Sequence, residues 1–381
     1  MHGDFNGNLY TRPRDGDCDY YVAMAQNTAA QVAYPFGMRI LTPLIVKVIK
    51  KNSYGLLSWD FTWYLVTFAS LFATAVVFYN LLRKVFRLDV CLANLMVLFM
   101  LGNWIYCFFQ FAVPFFPDPL NNLLWMMALY WLHRQRYGLF LLTLTVGFLN
   151  KEVILFLLPL YPLFVFLDAT ERGQRLAGVA RVLARALAWA VVVALAYVGF
   201  RRGWSHFLHA ETYQMFTGWN KSPLETMVYC LSKHKDVLDL FQVFHFLWLP
   251  FLAMLWVLYR ERGWRDKFFL GATYIVLPLL VGRLFATDAN RVCVMMLPWV
   301  YGLAGMYFQR IRLHENPALL LTLAFIYLAL NYGWVENKEW QIGLNVIAML
   351  ILAVQHHVVR PPPAPNPGKP DDPLTGQFSK A

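Results

Sequence analysis

GLFLLTLTVGFLNKEVILFLLPLYPLFVFL, residues 138–167, runs for thirty residues with only two charges, Lys151 and Glu152, side by side near its middle. So long an apolar stretch reads as membrane-embedded, and the adjacent charges mark a turn at the membrane face between two segments. Similar runs recur nearly end to end. They predict helices over 58–82, 89–109, 119–133, 138–150, 153–167, 182–200, 240–258, 267–284, 292–308, 317–333 and 340–358. Segments 119–133, 138–150 and 153–167 are short, which fits tilted, re-entrant or protein-shielded helices.

Composition agrees. Of 381 residues 59% are hydrophobic and 14% charged, against about 45–50% and about 25% in soluble domains. Mean hydropathy is +0.45. The net charge of +11 does not point to nucleic acid, because Lys and Arg fall in short clusters between apolar runs. The five Cys show no C-x-x-C or Cys/His spacing, which leaves no zinc or redox framework.

If the segments alternate, one set of connections holds Arg83/Lys84/Arg87, Arg134/Arg136, Arg172/Arg175/Arg181, Arg260/Arg262/Arg265/Lys267 and Arg310/Arg312. The positive-inside rule puts that set in the cytoplasm. The acidic N-terminal segment, the Pro114–Pro119 loop, Asn150–Glu152, the long loop 201–239, Thr287–Arg291 and Tyr332–Trp340 then share the outer face. The chain divides into an outer acidic loop with interfacial amphipathic helices (1–57), a transmembrane domain (58–358) and a Pro-rich disordered cytoplasmic tail (359–381). This count leaves the N-terminus outside with nothing to carry it across, so a preceding transmembrane helix is expected, or else a short pair such as 138–150 and 153–167 does not span.

Five charged clusters lie on the outer face. R-D-G-D-C-D-Y-Y (14–21) holds Asp15, Asp17 and Asp19; a carboxylate at a dry boundary can serve as a general base or hold a divalent metal ion, and a solvated acidic loop reads equally well. In P-F-G-M-R-I-L-T-P (35–43), Arg39 offers a fork of donors suited to phosphate, or snorkels to headgroups. Asp118 in F-P-D-P-L-N-N (116–122) reads first as a helix N-terminal residue. Lys151 and Glu152 read modestly more as function than as turn residues. Finally, Arg283, Asp288 and Arg291 in R-L-F-A-T-D-A-N-R-V-C (283–293) either pair with one another or meet a lipid phosphate. No P-loop, G-x-G-x-x-G, G-x-S-x-G or H-E-x-x-H pattern is present.

Taken in order, D-x-D-Y-Y-V-A-M-A, P-F-G-M-R-I-L-T-P-L-I, the Asp of P-D-P-L, G-F-L-N-K-E-V-I-L-F-L-L-P and D-A-N-R-V-x-x-x-x-L-P resemble the GT-C superfamily of membrane glycosyltransferases over residues 15–305. The resemblance is nearest to bacterial members related to protein mannosyltransferases and aminoarabinose transferases. It implies an all-α polytopic fold of about 11 transmembrane segments, in the bacterial inner membrane, with its active site on the periplasmic or extracellular face. The implied donor is a polyprenyl-phosphate-linked sugar and the acceptor a lipid or glycan of the cell envelope. Asp19 or Asp17, with Asp15 behind them, then matches the catalytic base; Arg39, Lys151 and Arg291 would hold the donor phosphate, with Asp118, Glu152 and Asp288 supporting. No metal ligand is assigned. The absent first helix and the absent soluble C-terminal domain depart from that family. Two other readings are a transporter or flippase of a lipid-linked or anionic substrate, disfavoured by the absence of an internal repeat, and a non-catalytic subunit that kept the fold.

Overall fold

The computed structural model describes residues 17–26, 39–207, 237–283, 293–331 and 338–359. Among them every regular element is helical: α1 Asp17–Gln26, α2 Leu41–Asn52, α3 Trp59–Lys84, α4 Val90–Gly102, a π-helical turn Trp104–Phe108 with α5 Phe109–Ala112, α6 Asp118–His133 and α7 Tyr137–Phe148. A 3-10 turn, Glu152–Leu157, leads into α8 Leu160–Glu171. The remainder are α9 Leu176–Phe207, α10 Val237–Phe244, α11 Trp248–Arg262, α12 Lys267–Arg283, α13 Leu297–Arg310, α14 Pro317–Asn331 and α15 Lys338–Val358.

Local chemistry explains several boundaries. The Ser58 side chain accepts from Phe61 N at the start of α3, and Arg83 and Lys84 end that helix where its dipole favours cations. Asp89 accepts from Cys91 N at the start of α4. Asp266 accepts from Phe268 N and Phe269 N ahead of α12.

All eleven segments expected to span coincide with helix, but length and apolarity qualify fewer of them as crossings. Among the described residues five stretches suffice, 59–84, 152–171, 176–204, 241–262 and 339–358, or six if α4 and the bent segment after it count as one. Others, such as the twelve-residue α7 and fifteen-residue α14, are apolar but fall short of a bilayer when straight. The α9 surface turns Trp189, Val191, Val192 and Leu195 outward, as a helix facing lipid does.

Three expectations need correction. The segment drawn as continuous over 89–109 is bent by 63° after Gly102, because Asn103 closes α4 and caps the next turn: its Oδ1 accepts from Tyr106 N. Its Nδ2 donates to Val243 O at 2.8 Å and to the hydroxyls of Tyr301 and Tyr327. The loop expected over 201–239 begins later, since α9 runs on to Phe207. Where two interfacial amphipathic helices are expected between Tyr20 and Lys51, the structure gives two helices that differ in burial. Helix α2 is amphipathic, with Val46 buried and Leu44 and Val48 exposed, whereas α1 is packed into the protein: Tyr21, Val22, Met24 and Ala25 are buried against Val46, Trp63 and Val66.

Contacts sort the helix termini into two ends. At one end, rich in basic residues, Asp89 N donates to Gln309 Oε1, Arg310 pairs with Glu261, Gln355 reaches Ile311 O, and Lys267 bridges Asp168 and Glu171. At the other, Leu41 N donates to Leu149 O at 3.0 Å and Thr67 Oγ1 donates to Pro114 O. Helices α6 and α7, and the 3-10 turn together with α8, run in alternating directions between these two ends. Their core continues into α12 and α13, where close approach needs small residues: a Cβ on Gly302 would stand 2.4 Å from the Phe86 ring.

Candidate functional site

The end opposite the basic cluster brings together residues far apart in the chain. Arg39, two residues before α2, holds Glu152 through two bonds, Nη2 to Oε1 at 2.8 Å and Nε to Oε2 at 3.2 Å. Its third nitrogen, Nη1, donates to the Tyr21 hydroxyl of α1 at 2.8 Å. The planar fork of Arg suits a bidentate carboxylate, and Tyr21 fixes the remaining side of the plane. Burial works against the Arg39 charge, and Tyr21 and Glu152 more than offset it, so the guanidinium stays protonated above its ordinary range.

Beside it, Lys151 Nζ reaches Asp118 Oδ1 at 2.5 Å. Asp118 stands in the first turn of α6 with Pro119 next to it, where the helix dipole favours a carboxylate. It is the first residue of α6, after Pro117, which agrees with the helix N-terminal placement expected, and there it also forms the ion pair with Lys151. Lys151 itself has extended backbone between α7 and the 3-10 turn, which points its side chain and that of Glu152 to different partners: the two neighbours serve two separate pairs.

Asn150 ties these segments together. It is fully buried, its Nδ2 donates to Pro117 O at 2.8 Å, and its Oδ1 accepts from Thr42 Oγ1 at 2.5 Å. One side chain thereby links the residue before Asp118, the residue before Lys151 and the first turn of α2, three residues after Arg39. Neither Tyr21, Thr42 nor Asn150 was singled out from the sequence. The available signal was an amide at the end of an apolar run, overshadowed by the charges beside it.

Of the expected site residues, the structure joins Arg39 to Glu152 and Lys151 to Asp118. Asp17 and Asp19 fall on the first turn of α1, the helix that supplies Tyr21. Asp15, Asp288 and Arg291 lie outside the described residues. Among the described residues no group of three or more His, Cys, Asp or Glu side chains gathers as a metal would require. No family model matches this chain, and no curated protein or solved structure resembles it at a significant level.

Proposed function

We propose that this chain is a membrane glycosyltransferase that moves a sugar from a polyprenyl-phosphate carrier to an acceptor hydroxyl on the outer face of a bacterial inner membrane. The carrying observation is convergence: four of the separate segments that resemble GT-C enzymes meet at one end of the bundle, through Tyr21, Arg39, Asp118 and Lys151–Glu152. That end lies opposite the basic loops, which fits an outer site and cytoplasmic loops.

The chemistry is a displacement. The acceptor oxygen attacks the anomeric carbon, the bond from that carbon to the phosphate oxygen breaks, and polyprenyl phosphate leaves. A carboxylate on α1, Asp17 or Asp19, takes the acceptor proton, while Arg39 and Lys151 stabilise the charge gathering on the departing phosphate. Attack opposite the leaving group inverts the anomeric centre. Glu152 and Asp118 hold the two cations in place.

In proteoliposomes given undecaprenyl-phosphate-linked hexoses and an envelope lipid extract as acceptor, Asp17→Asn, Asp19→Asn or the double variant is expected to lose transfer at least 100-fold, with unchanged elution on size exclusion. Full transfer by all three sinks the base assignment. The break at Asn103 favours a second reading, a flippase for the same carrier lipid, since broken helices recur in transporters. Movement of the intact lipid-linked sugar across the bilayer, with no glycosidic product, would select it.

A further inference from the structure

Helix α6 leads inward from the ion-paired Asp118 with a polar face of which three atoms find no hydrogen-bond partner among the described residues. Asp118, Asn121, Asn122 and Trp125 stand three, four and seven residues apart, one above another on the same face. Asn121 is 2% exposed, Asn122 8% and Trp125 1%. Yet Asn121 Oδ1, Asn122 Nδ2 and Trp125 Nε1 are buried without a hydrogen-bond partner among the described residues.

Leaving such groups unpaired is costly, and a helix face needed only for packing would carry Ala, Ser or Leu. The mixture of atoms narrows what would meet them. They present an acceptor and two donors in a stripe beginning about 5 Å along the axis from Asp118. Each amide carries both an acceptor and donors and can turn to offer either, and Trp125 adds a donor, whereas a phosphate only accepts and an acyl or prenyl chain does neither. A carbohydrate ring, whose hydroxyls both donate and accept at neighbouring positions, satisfies all of them.

We propose that Asn121, Asn122 and Trp125 form the subsite that reads the donor's sugar, one to two helical turns inward of the pairs that would hold its phosphate. This deepens the transferase reading and rests on it. On this arrangement Arg39 and Lys151 recognise what all donors share, and the α6 amides distinguish one hexose from another.

The test is equilibrium binding to the full chain in nanodiscs, read by quenching of intrinsic fluorescence, with bare undecaprenyl phosphate and its mannose, glucose and galactose conjugates as probes. The wild type is expected to bind one conjugate more tightly than the bare phosphate. Asn121→Ser and Asn122→Ser should each reduce that sugar-dependent gain about 2- to 12-fold, the worth of one hydrogen bond, and leave binding of bare undecaprenyl phosphate within twofold, which also reports that the variants fold. Arg39→Ala should weaken all four lipids alike. A wild type that binds every lipid equally, or amide variants that lower all four together or none, overturns the subsite and leaves the transferase reading standing. Failure of the wild type to bind any of the four overturns both.

Discussion

Asp168, at the basic end, is buried and accepts from Gln135 at 2.9 Å and from Tyr137 while it pairs with Lys267, which also reaches Glu171 at 2.6 Å. At the opposite end Asp118 and Glu152 pair with Lys151 and Arg39, which stand in connections outside the helices. Both clusters join elements distant in sequence. The first pins the start of α7, the end of α8 and the start of α12 around one satisfied carboxylate, a fastening for helix ends. The second is carried on short connections, tied by the buried amide of Asn150, and stands at the N-terminal end of the α6 face that bears Asn121, Asn122 and Trp125. Among the described residues both ends leave buried polar atoms without a partner, His133 Nε2 and His314 Nδ1 at the basic end and Asn121 Oδ1 and Asn122 Nδ2 along α6, so the difference between the ends lies in what carries the ion pairs: helix ends at one, short connections at the other.

Removing the fastening should have the largest effect on stability. Lys267→Met strips the cation from a buried carboxylate and is expected to cost about 3–5 kcal/mol, seen as a lower unfolding midpoint in detergent, while the folded fraction keeps its ligand affinity. If that variant unfolds like the wild type, Asp168 is not the fastening described. Asn150→Ala should cost less, about 1–3 kcal/mol for two lost hydrogen bonds, yet reduce transfer or lipid binding more than tenfold, because the segments bearing Arg39, Asp118 and Lys151 lose their common tie. Equal losses of stability and binding in the two variants would erase the distinction between the ends. The smallest effect belongs to Arg310→Ala: its pair with Glu261 is half-exposed, and thermal unfolding should report a change of about 0–1 kcal/mol.

Much of the helical layout was legible because apolar run length is a local property: the turn at Asn150–Glu152 lies where two adjacent charges interrupt thirty apolar residues. The break at Asn103 was only faintly marked, by a Gly–Asn pair inside an apolar run, because its cause is three-dimensional: Val243, Tyr301 and Tyr327 come from elements 140 or more residues away. The burial of α1 was hidden for the same reason, since its amphipathic pattern does not say whether lipid or Trp63 covers it. For the candidate site, residue types were legible and partnerships were not. Lys151 and Glu152 read as a unit, yet one reaches 33 residues back and the other 113. The amides of α6 were overlooked because Asn121 and Asn122 read as ordinary first-turn residues beside a proline.

The twelve-residue α7 also bears on how the chain sits in a bilayer. A straight helix of twelve residues is about 18 Å long, short of a bilayer's apolar thickness, and α7 packs antiparallel to α6 as a hairpin. Asp118 and Lys151 sit at the open end of the α6–α7 hairpin. Their pairing closes that end, joining two opposite charges that would be costly to leave apart beside an apolar environment.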